Sequence, residues 1–353
     1  MAADCVAYRK IPRRVTPAKA GCGKHLIFLD TALYLKLWYA AILLLLFTPN
    51  PASATDSNLV QGEYLFRVAG CATCHTDEKN KGAPLAGGRA LKTPFGTFYT
   101  PNITPDPDTG IGRWTDENFR RALREGKDPQ GHDYYPVFPY TSYTLLTDAD
   151  LLAIKRYLFS QKSVHQAKRP HELTWYVRSR QTLKVWKALF FSPGTMAPQP
   201  EQPAAWNRGA YLVNAVAHCG ECHTPRNPMG GFMKSMFLAG GLDGAEGATV
   251  PNITPDKTTG IGKWRESDLA EYLETGAMPD GDYAGDVMAD MIDNSTKYLT
   301  PGDLKAIATY VMSLPPVRHK IRRVKKLAHR VLVWVKTGPE VQPAPVITDT
   351  KRL

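Results

Sequence analysis

Leu151, Ile154 and Leu158 fall on one face of a helix, and Leu304, Ile307 and Val311 repeat that spacing further along the chain. Each triplet follows a threonine, Thr147 or Thr300. Upstream of each, a second helix is predicted from near Thr115 or Glu266, where an oxygen-bearing side chain can cap it, to Gly126 or Gly276, where glycine suits the helix end. A first helix is predicted from about Val60 and from Arg208, each running into a Cys-x-x-Cys-His segment. The pattern is therefore three helices with long loops, written twice.

Identical residues at matching places support the duplication. Gly62, Tyr64 and Leu65 match Gly209, Tyr211 and Leu212. The run Pro101-Asn102-Ile103-Thr104-Pro105-Asp106 returns as Pro251-Asn252-Ile253-Thr254-Pro255-Asp256, and Trp114 returns as Trp264. Asp150 and Leu151 match Asp303 and Leu304. In each copy the first and last helices are expected to cross, with Tyr64 against Tyr157 and Tyr211 against Tyr310.

The chemistry lies in Cys71-Ala72-Thr73-Cys74-His75 and Cys219-Gly220-Glu221-Cys222-His223. This spacing attaches a c-type haem. The thiols of Cys71 and Cys74, and of Cys219 and Cys222, would each form two thioethers, with His75 and His223 as proximal iron ligands. Two covalently bound haem c groups are implied. A redox Cys-x-x-Cys pair or half a zinc site explains neither histidine. The Pro-Asn-Ile-Thr loops are either ordinary turns or wrap the haem edge, with the Trp114 and Trp264 indoles near propionates.

The copies differ on the distal side, where low-spin c-type haems commonly take methionine. Copy two offers Met288 and Met291; a three-residue insertion selects Met288, and an ungapped match back from Leu299 selects Met291 as runner-up. In copy one Phe138 occupies that place, and there is no methionine between Met1 and Met196. His132 is the nearest histidine, more naturally read as an exposed loop residue.

Composition adds the flanks. The 353 residues carry a net charge of +11. Residues 1–54 hold 7 Lys/Arg against 2 Asp/Glu, and residues 318–353 hold 10 against 2, leaving 27 against 29 for the body. Nucleic-acid binding is not indicated. Basic residues, then an apolar run at 37–47, then Ala52-Ser53-Ala54, predict a signal peptide over 1–54 cleaved after Ala54; an uncleaved anchor is the rival reading. The remaining boundaries read as a cytochrome c domain over 55–163, an interdomain helix and Pro-rich linker over 164–205, a second domain over 206–316 and a basic amphipathic tail over 317–353. The linker aromatics are expected to pack between domains. The tail is expected to be a helix lying on an anionic membrane, with a partner-docking helix and a solvated tail as alternatives.

With these motifs the chain resembles the c-type cytochrome subunits of bacterial periplasmic, membrane-associated alcohol, gluconate, sorbitol and aldehyde dehydrogenases. The resemblance covers about 62–316, and Trp206-Asn207-Arg208-Gly209-Ala210-Tyr211-Leu212 and Cys222-His223-Thr224-Pro225-Arg226-Asn227 carry it further. Members often hold three haems, where this chain has two motifs, and often place methionine where Phe138 stands. The resemblance implies an all-α fold of two tandem class I cytochrome c domains in the periplasm, at the inner membrane. It implies electron transfer from a dehydrogenase subunit to quinone or a terminal oxidase. A peroxidase-like enzyme with an open site at the first haem is the alternative.

Overall fold

The computed structural model describes residues 51–242 and 247–321. The predicted signal peptide, apart from the helical backbone of its last four residues, and the tail beyond Ile321 lie outside the described residues. The order is α1 (Pro51–Val68), α2 (Cys71–His75), β1 (Ala90–Thr93), β2 (Gly96–Tyr99), α3 (Asp116–Glu125), α4 (Tyr140–Tyr143), α5 (Asp148–Phe159), β3 (Glu172–Leu173), α6 (Arg180–Phe190), α7 (Ala204–Tyr211), α8 (Gly220–His223), α9 (Glu266–Thr275), α10 (Asp286–Asn294) and α11 (Pro301–Ser313). The fold is mostly helical. A three-stranded antiparallel sheet, ordered β1-β2-β3 with Ala90 opposite Tyr99 and Gly96 opposite Leu173, was not apparent in the apolar pattern. No described helix is long and apolar enough to cross a membrane.

Helix limits follow from short-range chemistry. The Thr115 hydroxyl accepts the Asn118 N–H, Thr147 accepts Asp150, and Thr300 accepts Asp303. At α9 Arg265 takes the capping place, and Asp268 accepts the Arg265 N–H at 2.8 Å. Gly126 and Gly276 end α3 and α9 with positive φ.

In each half, the first and last helices cross at a glycine. A Cβ at Gly62 would strike the Ala153 carbonyl, and one at Gly209 the Ala306 carbonyl. Backbone approach this close admits no side chain. Around the crossings, Leu65, Val68, Leu151, Leu212, Val213 and Val216 are fully buried, each stabilising the fold by about 2 kcal/mol relative to exposure.

Two local expectations are corrected. The first helices do not run into the motifs. Gly70 (φ 62°) and His218 (φ 41°) interrupt the chain just before each cysteine, and α7 first passes into a π turn over 212–216. The hydroxyls of Tyr64 and Tyr211 turn away from Tyr157 and Tyr310 to the opposite half. Phe66 takes the ring contact with Tyr157, at 5.0 Å between centroids, and Trp206 takes that with Tyr310.

The halves are joined in reciprocal fashion. Tyr64 donates to Asp303 on α11, and Tyr211 donates to Asp150 on α5, both at 2.5 Å. Within the second half, Arg208 makes a bidentate pair with the same Asp303 at 2.8 and 2.6 Å and holds that carboxylate for Tyr64. On α6, Leu183 is buried, and the Lys187 ammonium donates to the Glu125 carbonyl and to Asp133. The Trp186 indole reaches the Met229 carbonyl in the second half. Trp175, by contrast, is 82% exposed and is not interdomain packing. At the start of the tail, residues 317–321 are not helical: Val317 and His319 lie pinned to Thr254 and Thr259 by hydrogen bonds.

Candidate functional site

Each Cys-x-x-Cys-His segment is a short helix, α2 or α8, beginning at a backbone reversal. The helical turn brings the following histidine back towards its cysteines. The His75 Nδ1–H donates to the Pro101 carbonyl at 2.8 Å, and the His223 Nδ1–H to the Pro251 carbonyl at 2.9 Å. A carbonyl can only accept, so Nδ1 holds the proton and Nε2 is left with its lone pair for a metal. Burial lowers the pKa of both imidazoles, against the raising effect of the proline carbonyls, and so favours the neutral ligand form.

The repeated loops hold those carbonyls. Asn102 is 3% exposed and saturated: its amide donates to Thr109 and to the Val164 carbonyl, and its oxygen accepts from the Thr104 N–H and hydroxyl. Asn252 repeats the pattern with Thr259, the Val317 carbonyl and Thr254. Asp106, held down to about 2 by the Thr109 backbone and hydroxyl bonds, closes the next turn. These loops are therefore more than turns: each fixes the carbonyl that aims a histidine.

Leu85 and Leu238 were not singled out by the apolar pattern. Both are buried at φ 60°, a costly conformation for a branched side chain. Each donates its N–H to the threonine after the motif histidine, Thr76 or Thr224, at 3.1 Å. Each accepts from Ile103 or Ile253 in the adjoining loop. The threonine after each motif histidine was the available signal, but the strain itself has no mark in residue type.

The distal sides differ. Phe138 lies in an aromatic cluster with Tyr134, Tyr140 and Tyr143, its centroid 5.6–6.4 Å from theirs. His132 is 63% exposed with its ring on Asp128, so the structure does not bring it to this cluster. In the second half Met288 packs against the core from α10. Met291 lies at the seam, its methyl 3.3 Å from where a Cβ on Gly70 would stand.

The donor set suits a covalently tethered porphyrin better than a bare metal ion. Among the described residues no group of three or more His, Cys, Asp or Glu gathers as a metal cage. Burial pushes the Cys71 and Cys219 thiols up to about 12, with their partner cysteines adding to the shift. Inside the first motif, Thr73 Oγ1 is buried without a protein partner.

Residues 59–162 match the cytochrome c family. A dihaem c-type cytochrome of Cereibacter sphaeroides is 43% identical over 265 residues, covering 73% of this chain and 86% of that protein. The chain belongs to the cytochrome c family. The cofactor of that family is covalently bound haem c, and its chemistry is electron transfer. The fructose dehydrogenase cytochrome subunit of Gluconobacter japonicus is 39% identical over 283 residues, and the gluconate 2-dehydrogenase cytochrome c subunit of Pantoea cypripedii is 36% identical over 270. The matches cover 80% and 74% of this chain but only 57% and 60% of those two subunits. The cytochrome's matched motif is the first, at Cys71–His75; the second has the same local geometry.

Proposed function

We propose that this cytochrome is a two-haem electron relay built of two tandem class I cytochrome c domains. Cys71 and Cys74 would hold one haem c, and Cys219 and Cys222 the other. His75 and His223 would be proximal ligands. Met288 would be the distal ligand of the second, with Met291, which lies beside Gly70, as the runner-up. Bound haem supplies a one-electron change at iron. The chain's own residues hold the imidazoles neutral and aimed, and surround them with apolar side chains. The observation that carries the reading is the recurrence of one arrangement: a motif histidine whose Nδ1–H is fixed by the carbonyl of a saturated Pro-Asn loop.

The names of the relatives support a dehydrogenase subunit as electron donor, with quinone or a terminal oxidase as acceptor. The basic, apolar leader supports export to the periplasm, and the basic tail supports contact with the inner-membrane surface. The experiment is to reduce the purified holoprotein with candidate membrane dehydrogenases and their substrates, then to add quinone or oxidase-containing membranes. Reduction of both haems by one such enzyme, followed by reoxidation, is expected. Failure of every dehydrogenase to reduce either haem would refute the assigned partner class.

A further inference from the structure

At the seam, each half lays its distal segment on the other's attachment motif. From the first half, the Thr141 and Ser142 hydroxyls donate to Glu221, inside the second motif, at 2.7 and 2.9 Å. From the second, Ser295 donates to the Val68 carbonyl at 2.7 Å, and Met291 lies beside Gly70. The residues just before the two motifs also meet here, His218 lying against Ala69.

One link at that seam has no counterpart in the repeat. The sequences before the first cysteines are Ala69-Gly70 and Ala217-His218. The His218 Nε2 stands 3.2 Å from the Ala69 carbonyl oxygen and 3.2 Å from the Tyr143 hydroxyl. Tyr143 itself donates to the Ala69 carbonyl at 3.3 Å. Because that carbonyl only accepts, Nε2 carries the proton in this contact. His218 also keeps φ 41°, a left-handed conformation that costs free energy for a residue bearing a Cβ.

We propose that His218 is a positioning residue that couples the two haem sites. Its Nε2–H bond to Ala69 closes a bonded route from Cys219 to Cys71, through the His218 side chain and the Ala69-Gly70 backbone. This rests on the two-haem reading above. One electron crosses, one iron being oxidised as the other is reduced; His218 keeps its proton and no other bond changes. The alternative approach, Met291 beside Gly70, is a packing contact, and the neighbouring Ser295 bond to the Val68 carbonyl starts 72 residues beyond the second motif's His223 rather than next to its cysteine.

The test uses full-length holoprotein and the rate of electron exchange between the haems after rapid photoreduction, with each haem's midpoint potential and reduced spectrum measured alongside. His218→Asn tolerates the left-handed backbone but ends short of Ala69. It is expected to slow exchange several-fold while both haems remain attached at unchanged potentials. His218→Gln, which can again donate to Ala69, is expected to restore most of the rate. Should His218→Asn fail to mature, His218→Leu supplies the loss variant. Wild-type exchange in a loss variant overturns the assignment, as does a loss that His218→Gln does not repair. A wild-type protein with one haem, or without exchange between two, refutes the relay reading itself and is settled before any variant is made.

Discussion

Replacing Asp303 by alanine removes the carboxylate that ties Tyr64 of the first half to Arg208 of the second. It accepts two guanidinium bonds from Arg208 and one hydroxyl bond from Tyr64. Truncating one member of a buried pair costs about 3–5 kcal/mol, because the partner is left uncompensated. Here Arg208 is 35% exposed against 12% for Asp303, so water recovers part of that, and about 2–3 kcal/mol is expected. The matching change Asp150→Ala removes the Tyr211 bond without such an ion pair, and about 1 kcal/mol is expected. At ~2–4 °C per kcal/mol the midpoints should fall by about 4–12 °C and 2–4 °C. The larger effect should also depend on pH. Burial raises the Asp303 pKa, but the Arg208 and Tyr64 bonds and the Arg208 charge outweigh it, so the folded carboxyl titrates below its ordinary value. A depressed folded pKa adds stability above the unfolded value of about 3.9, and that stability is lost as pH falls through the folded value. Calorimetry of holoprotein at neutral and acidic pH is the assay. The difference between wild type and Asp303→Ala should be full near neutrality and shrink in acid. Equal losses for the two variants, or a difference undiminished in acid, would refute this account of the seam.

Asn102→Ala should strip four hydrogen bonds from the first proximal loop and cost about 2–4 kcal/mol. Asn252→Ala should do the same in the second half, and haem-specific spectra should show each defect confined to its own site. Met288→Leu should abolish the methionine-ligation signature of the second haem and lower its potential, while Met291→Leu should leave both nearly unchanged; redox titration with near-infrared spectroscopy distinguishes them. Removing residues 318–353 should weaken co-sedimentation with anionic vesicles, and equal binding with and without them would eliminate the membrane role of the tail.

Much of this molecule is legible because its chemistry is local. A threonine, a terminal glycine and a Cys-x-x-Cys-His segment each act within a few residues, so α3, α5 and α11 begin just after Thr115, Thr147 and Thr300, and α3 and α9 end at Gly126 and Gly276. The seam was harder. Tyr64 and Tyr211, with Asp303 and Asp150, are visible as matched positions, yet a repeat comparison cannot say whether a tyrosine bonds its own half or the other. Packing across the seam decides that. Leu85 and Leu238 show a second limit: left-handed strain at a leucine is imposed by tertiary bonds to Thr76 and Thr224. The role of His218 was hidden for the same reason, since its partner Ala69 is 149 residues away.

The central claim is that both motifs carry covalent haem. Mass spectrometry of the denatured holoprotein, with haem quantified per chain, tests it most directly. Two haems are expected in the wild type, one in Cys71→Ala/Cys74→Ala and one in Cys219→Ala/Cys222→Ala. A wild-type chain bearing a single haem, or a double variant still bearing two, would contradict it.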